Sequence, residues 1–231
     1  MGDLLDTLDW EDKKLINKLK IKNPSCLDLI IYNFEYLLKE SHSFDSHYNQ
    51  AMELSPEATA KDIDMFYSII HKCKSFNELV TNGMYISALI NKCKEDTIIL
   101  NENKNVKLNL FGYHLKNKLI ILNGDVDFCL GVGMNSGQIV INGNVGNSLG
   151  FLMCGGKIVV NGNVNFFLGD SMCGGEICVY GDVGKNISCQ MSGGTIRVYK
   201  HYPKITNGSW IGEIYYQDKL IAKDGQIFEG K

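Results

Sequence analysis

The chain holds a single arginine, Arg197, among 231 residues. Proteins that read phosphate or carboxylate groups usually deploy several bidentate guanidinium forks, so this scarcity argues against a nucleic-acid partner. Long apolar runs are missing too: nothing approaches the roughly 18–20 consecutive apolar residues of a membrane-spanning helix, and no membrane association is expected. The opening MGDLLDTLDWED is acidic, unlike a signal peptide, and Asp6 stands where a myristoylation signal carries Ser or Thr. The eight cysteines include no C-x-x-C pair. Without a secretion signal they are expected to be reduced thiols of a cytoplasmic protein. A phosphate-binding G-x-x-x-x-G-K-[ST] loop is absent as well.

Glycine, by contrast, is abundant, with 24 residues, and much of it is periodic. Four units of nineteen residues follow one another without insertion or deletion: LIILNGDVDFCLGVGMNSG (119–137), QIVINGNVGNSLGFLMCGG (138–156), KIVVNGNVNFFLGDSMCGG (157–175) and EICVYGDVGKNISCQMSGG (176–194). A fixed period near twenty residues makes each unit one turn of a solenoid stacked on its neighbours. Gly124, Gly143, Gly162 and Gly181 form one column, and Gly137, Gly156, Gly175 and Gly194 another. Gly131, Gly150 and Gly169, broken by Ser188, form a third. Recurrent glycine implies positive φ or a backbone approach too close for a Cβ, and three columns predict a coil with about three corners.

Between the corners the pattern I-x-[LIV] alternates with a period of two, as in strands with one buried face. Ile120, Ile139, Ile158, Ile177 and Ile196 share one register, and Leu122, Ile141, Val160, Val179 and Val198 another. Val126, Val145, Val164 and Val183 mark a second short strand, and Leu130, Leu149, Leu168 and Ile187 a further inward position. Met134, Met153, Met172 and Met191 complete the core ladder. Coils pairing in parallel about 4.8 Å apart stack like on like, which predicts a parallel β-helix. Thr97–Leu115 has strand-like runs without the glycines and is expected to be a first, atypical coil. Residues 201–231 are expected to form an irregular cap, because a stack must cover its open edge.

The pattern G-[DN]-V-x-x-x-[LI]-[GS]-x-x-M-x-[GS]-G-x-I-x-[VI], carried by Gly143-Asn144-Val145 through Met153-Cys154-Gly155-Gly156 and its equivalents, resembles the GXGXG β-helix. That module forms the C-terminal domain of the glutamate synthase large subunit and the C subunit of formylmethanofuran dehydrogenase. The resemblance covers about residues 100–200. It implies a scaffold or assembly component that packs against a protein partner or a second copy, without catalytic residues or cofactor of its own. An accessory subunit of a glutamate synthase-like or formyl-transfer complex is the alternative it implies.

Residues 10–95 read as helices, which makes the expected class α+β. A helical segment (1–96) precedes a single-stranded, right-handed parallel β-helix (97–200) and the cap (201–231). The acidic excess of the first hundred residues, sixteen Asp/Glu against eleven Lys, supports that split. Helices are expected over Trp10–Lys20, over Leu27–Glu40 after Ser25, from Ser55-Pro56 onward, and after a Ser75/Glu78 capping box. SHSFDSHYNQ (41–50) is polar and expected to be a loop.

Few residues point to chemistry. His42 and His47, near Asp45, are five apart, not the i, i+4 spacing of a zinc helix, and read as solvated loop residues. Cys154 and Cys173 share a slot in adjacent coils that would suit a disulfide or a metal, but the slot continues as Asn135 and Ser192 and reads as a small-residue column. Gly131-Val132-Gly133 has the wrong spacing for a dinucleotide loop. Asp125 and Asp182, in register with Asn144 and Asn163, read as turn chemistry. No metal site is expected. Phe128 and Phe166 share a slot with Asn147 and Lys185 and should therefore face outward beside Phe151 and Phe167. Such exposed aromatics mark a partner contact or a surface covered by the chain's own helices.

Overall fold

A computed structural model describes residues 25–37, 44–70, 76–101, 108–203, 205 and 208–228. The helix expected over Trp10–Lys20 lies outside them, as do His42, His71 and Ser75.

The body is a β-solenoid. β1 (Thr97–Leu100), β2 (Leu119–Leu122), β4 (Gln138–Ile141), β6 (Lys157–Val160), β8 (Glu176–Val179), β9 (Ser192–Val198) and β10 (Ile211–Tyr216) lie side by side, all parallel. Register puts Ile98, Ile120, Ile139, Ile158, Ile177, Ile196 and Ile214 in one buried isoleucine row. A second, smaller sheet of β3 (Val126–Phe128), β5 (Val145–Asn147) and β7 (Val164–Phe166) buries its valines against the first. Met134, Met153, Met172 and Met191 are buried between them.

The glycine columns divide by cause. Gly137, Gly156, Gly175 and Gly194 have φ between 84° and 102°, a region that penalises a Cβ. Gly143, Gly162 and Gly181 are not left-handed. Instead, a Cβ on any of them would overlap the carbonyl of the preceding column member, from Gly124 onward. The third side of the coil is a chain of turns in which ordinary residues adopt left-handed backbone: Leu110, Cys129, Ser148, Phe167 and Asn186 in one column, and His114, Leu152, Ser171 and Gln190, aligned with Gly133, in another.

The outer columns are tied together by side chains. Asn142 donates to Asn123 and Asn161 to Asn142, each at 2.7 Å. In the neighbouring column Asp125 accepts from the Asn144 amide, Asn144 from the Asn163 amide, and Asn163 from the Asp182 amide. This aspartate–asparagine column thus makes side-chain-to-backbone bonds between coils.

The expectation of an irregular cap over 201–231 is corrected. β10 adds a further parallel rung, and β11 (Lys219–Lys223) and β12 (Gln226–Ile227) follow antiparallel. The rung is hidden in sequence because the register shifts between Ile211 and Glu213, while Ile214 still enters the isoleucine row.

Among the described residues four helices cover the other end: α1 (Cys26–Leu37), α2 (Phe44–Leu54), α3 (Ala60–Ile69) and α4 (Phe76–Lys92). None is long and apolar enough to cross a membrane. Two expectations fail here. SHSFDSHYNQ is not a loop: from Phe44 it forms α2, because Tyr48 and Ala51 turn inward and His47 is buried 3.1 Å from the Thr81 hydroxyl. The helix expected from Ser55-Pro56 begins instead at Ala60, where Thr59 and Asp62 make a reciprocal capping box, while the Ser55 amide closes α2 on Ala51. Asp64 of α3 caps the asparagine column by accepting from both the amide and the side chain of Asn101.

Candidate functional site

Helix α4 is buried along Thr81–Ile90 and pinned to the turns of the first coil. At Gly83 a Cβ would overlap the Asn109 carbonyl. Ser87 accepts from the amides of Gly112 (2.9 Å) and Tyr113 (3.3 Å). This clamp sets the next residues: His114, left-handed at φ 50°, and Asn91 one turn further along α4.

Around them a cleft of about 560 Å³ opens between α2, the end of α4 and the first two coils. Asp45, Tyr48, Asn91, His114 and Lys116 face it, with Met52 as an apolar wall. Asp45 accepts from the Tyr113 hydroxyl and lies 4.0 Å from Nε2 of His114. Nδ1 of His114 lies 3.2 Å from the Gly133 carbonyl. A carbonyl only accepts, so that nitrogen donates, and Nε2 is left toward Asp45. Asn91 donates to the Tyr48 hydroxyl at 2.7 Å and accepts from the Lys116 amide at 3.2 Å. Tyr48, Tyr113 and His114 pack ring on ring, the last two edge to face with centroids 4.3 Å apart. Burial pushes the Tyr48 hydroxyl above its ordinary range, partly offset by Asn91. Burial, then the hydrogen bond to Asp45 and its charge, raise Tyr113 further. Both phenols are therefore neutral donors at physiological pH.

Of these residues only Asp45 stands out in the sequence, through its closeness to His42 and His47. His47 instead points into the helical cap, and Asp45 meets Tyr113 and His114. The one signal for His114 lay in register: it falls in the column occupied by Gly133 one coil later.

A second surface lies on the smaller sheet. Phe128, Asn147 and Phe166 follow one another across β3, β5 and β7, which places the two rings about 10 Å apart. Phe128 is 36%, Phe166 42%, Phe167 40% and Leu152 47% exposed. The outward direction expected for Phe128 and Phe166 is thus observed, and among the described residues no helix covers them. Phe167 (φ 60°) and Leu152 (φ 55°) are also left-handed. Other members of these columns include Ser148, Asn186, Ser171 and Gln190, together with Leu110, which is buried.

Cys154 and Cys173 correct the reading of an all-reduced chain and of a merely small-residue slot. In-register stacking puts their Cα atoms 4.7 Å apart, inside disulfide range, and the two are joined as a disulfide. Cys26, Cys93, Cys129, Cys178 and Cys189 are free thiols. Among the described residues no three His, Cys, Asp or Glu side chains gather as metal ligands. Comparison with protein-family models, with curated proteins and with solved structures finds no match to the chain.

Proposed function

We propose that this chain is a structural β-helix protein that packs against a partner subunit through its phenylalanine-bearing side. The observation that carries the reading is that Phe128, Leu152, Phe166 and Phe167 are each 36–47% exposed on that side. Exposed apolar surface of this kind binds protein. The coil interior supports the same reading, being filled by isoleucine, valine, leucine and methionine rows. In this reading the coil winds right-handed, as parallel crossovers do, and works as the GXGXG module does in glutamate synthase or formylmethanofuran dehydrogenase, as an assembly element.

The test is isolation of the tagged protein from its own cells, beside a Phe128→Ser/Phe166→Ser variant. A stoichiometric partner subunit that the variant loses is the expected result. A chain that purifies alone, or a partner retained equally by the variant, would overturn the proposal.

A further inference from the structure

The cleft between α2 and the first coils brings an acidic, a basic and a phenolic side chain to one apolar wall, Met52. The geometry points to a binding site for a small zwitterion of the α-amino-acid class, its ammonium on Asp45 and its carboxylate on Lys116 and Tyr48.

One side is acidic. Asp45 is exposed, with the His114 ring beside it, Nε2 4.0 Å from the carboxylate. The Gly133 carbonyl, 3.2 Å from Nδ1, fixes the orientation of that ring. An exposed carboxylate suits a primary ammonium, which has three protons to donate. The donors are different residues. The Tyr48 hydroxyl accepts from Asn91 at 2.7 Å and so retains its own proton to give. Lys116 lines the same cleft, its backbone held by Asn91. An ammonium and a phenol hydroxyl together suit a carboxylate.

The supports are rigid. Asn91 joins Tyr48 to the Lys116 backbone, and Ser87 pins the turn before His114 to α4. Met52 offers an apolar surface to the ligand's side chain. A volume of about 560 Å³ is ample for one amino acid and falls within the usual range for small-molecule sites.

The experiment is titration calorimetry on the full chain with a panel of free α-amino acids, each beside the amine and the carboxylic acid that lack its other charge. Saturable binding of at least one amino acid is expected, with both single-charge analogues weaker by roughly tenfold or more. Asp45→Asn should remove the advantage over the carboxylic acid, and Lys116→Met the advantage over the amine. Lys116 is solvent-facing, so Lys116→Met should melt as the parent does; Asp45→Asn keeps an oxygen acceptor for the Tyr113 hydroxyl, and circular dichroism should show it folded. Absence of binding across the panel at millimolar concentration would overturn the proposal, as would binding that neither variant weakens. The Phe128→Ser/Phe166→Ser variant should bind as the parent does, which separates failure here from failure of the partner-surface reading.

Discussion

Met153 and Gly175 belong to different coils but occupy one space. The Met153 Cε methyl lies 2.7 Å from where a Cβ on Gly175 would sit, and the same interlock joins Met134 to Gly156, Met172 to Gly194 and Met191 to Gly212. Each methionine fills the volume that a side chain on the next coil's glycine would need. Met153→Ala empties a fully buried position and should cost about 2–5 kcal/mol. Gly175→Ala should cost about 2–4 kcal/mol. Of this, about 1–2 comes from an alanine held at φ 91°. The rest comes from crowding Met153 and the Gly156 carbonyl, the latter 2.8 Å from the new Cβ. In the double variant the new methyl enters space the methionine has left. The combined cost should then fall short of the sum by about 1 kcal/mol. It should not vanish, because the left-handed backbone and the Gly156 carbonyl are untouched. Urea denaturation of the four proteins at a common m-value measures the coupling. Gly175→Ala with Met134→Ala, whose methyl meets Gly156 instead, is the control expected to be additive. Additivity of Met153→Ala with Gly175→Ala to within about 0.3 kcal/mol would refute the interlock.

Leu152→Gly should raise stability by about 1 kcal/mol in the same assay, since it relieves an exposed left-handed leucine. Any partner contact should weaken at the same time, and a loss of stability would mean that Leu152 packs within the chain. Acid titration should find Glu176, whose carboxyl is held below its ordinary range by Lys157 first and then Arg197, at 2.8 and 2.7 Å. The folded value is depressed, so its contribution is complete above the ordinary glutamate value and is lost as pH falls through the lowered one. Glu176→Gln should accordingly flatten the acid limb of the stability curve, and an unchanged limb would exclude the cluster as a source of acid sensitivity.

Much of the solenoid could be read directly because register is a long-range constraint written locally. Each isoleucine from Ile120 to Ile196 must sit on the next, so one period exposes the whole row. The first coil was legible from its strand-like runs and not from the period, since Ile98 stands 22 residues before its partner Ile120; Thr97 does begin its strand. It failed at β10, where one register shift breaks the spacing although Ile214 keeps its place. In the helical cap there is no repeat to average over, and each assignment rested on a single signal. Pro56 looked like a helix start, but the Thr59–Asp62 capping box satisfied more backbone donors three residues later. The polar run before it gave no sign that His47 and Tyr48 turn inward, since their partners Thr81 and Asn91 lie far along the chain.

The left-handed columns explain why His114 and Leu152 were less legible than Phe128 and Phe166. Leu110 and Cys129 precede Ser148, Phe167 and Asn186 in one column, and His114 precedes Leu152, Ser171 and Gln190 in the other, all at positive φ. Of these only Asn and His are enriched in that region on their own account. The conformation therefore comes from the rung beneath: a coil that hydrogen-bonds its neighbour in register must copy the neighbour's backbone, as when Gly133 bonds to Phe151 and Leu152 to Asp170. Local propensity has no vote in such a column, so the side chains there are free to be chosen for something else. His114 is turned into the cleft by that backbone, and Leu152 and Phe167 are turned into solvent by it. Both surfaces thus come from one property of the fold: a stack rigid enough to hold ordinary residues in a strained conformation can aim them wherever the column points.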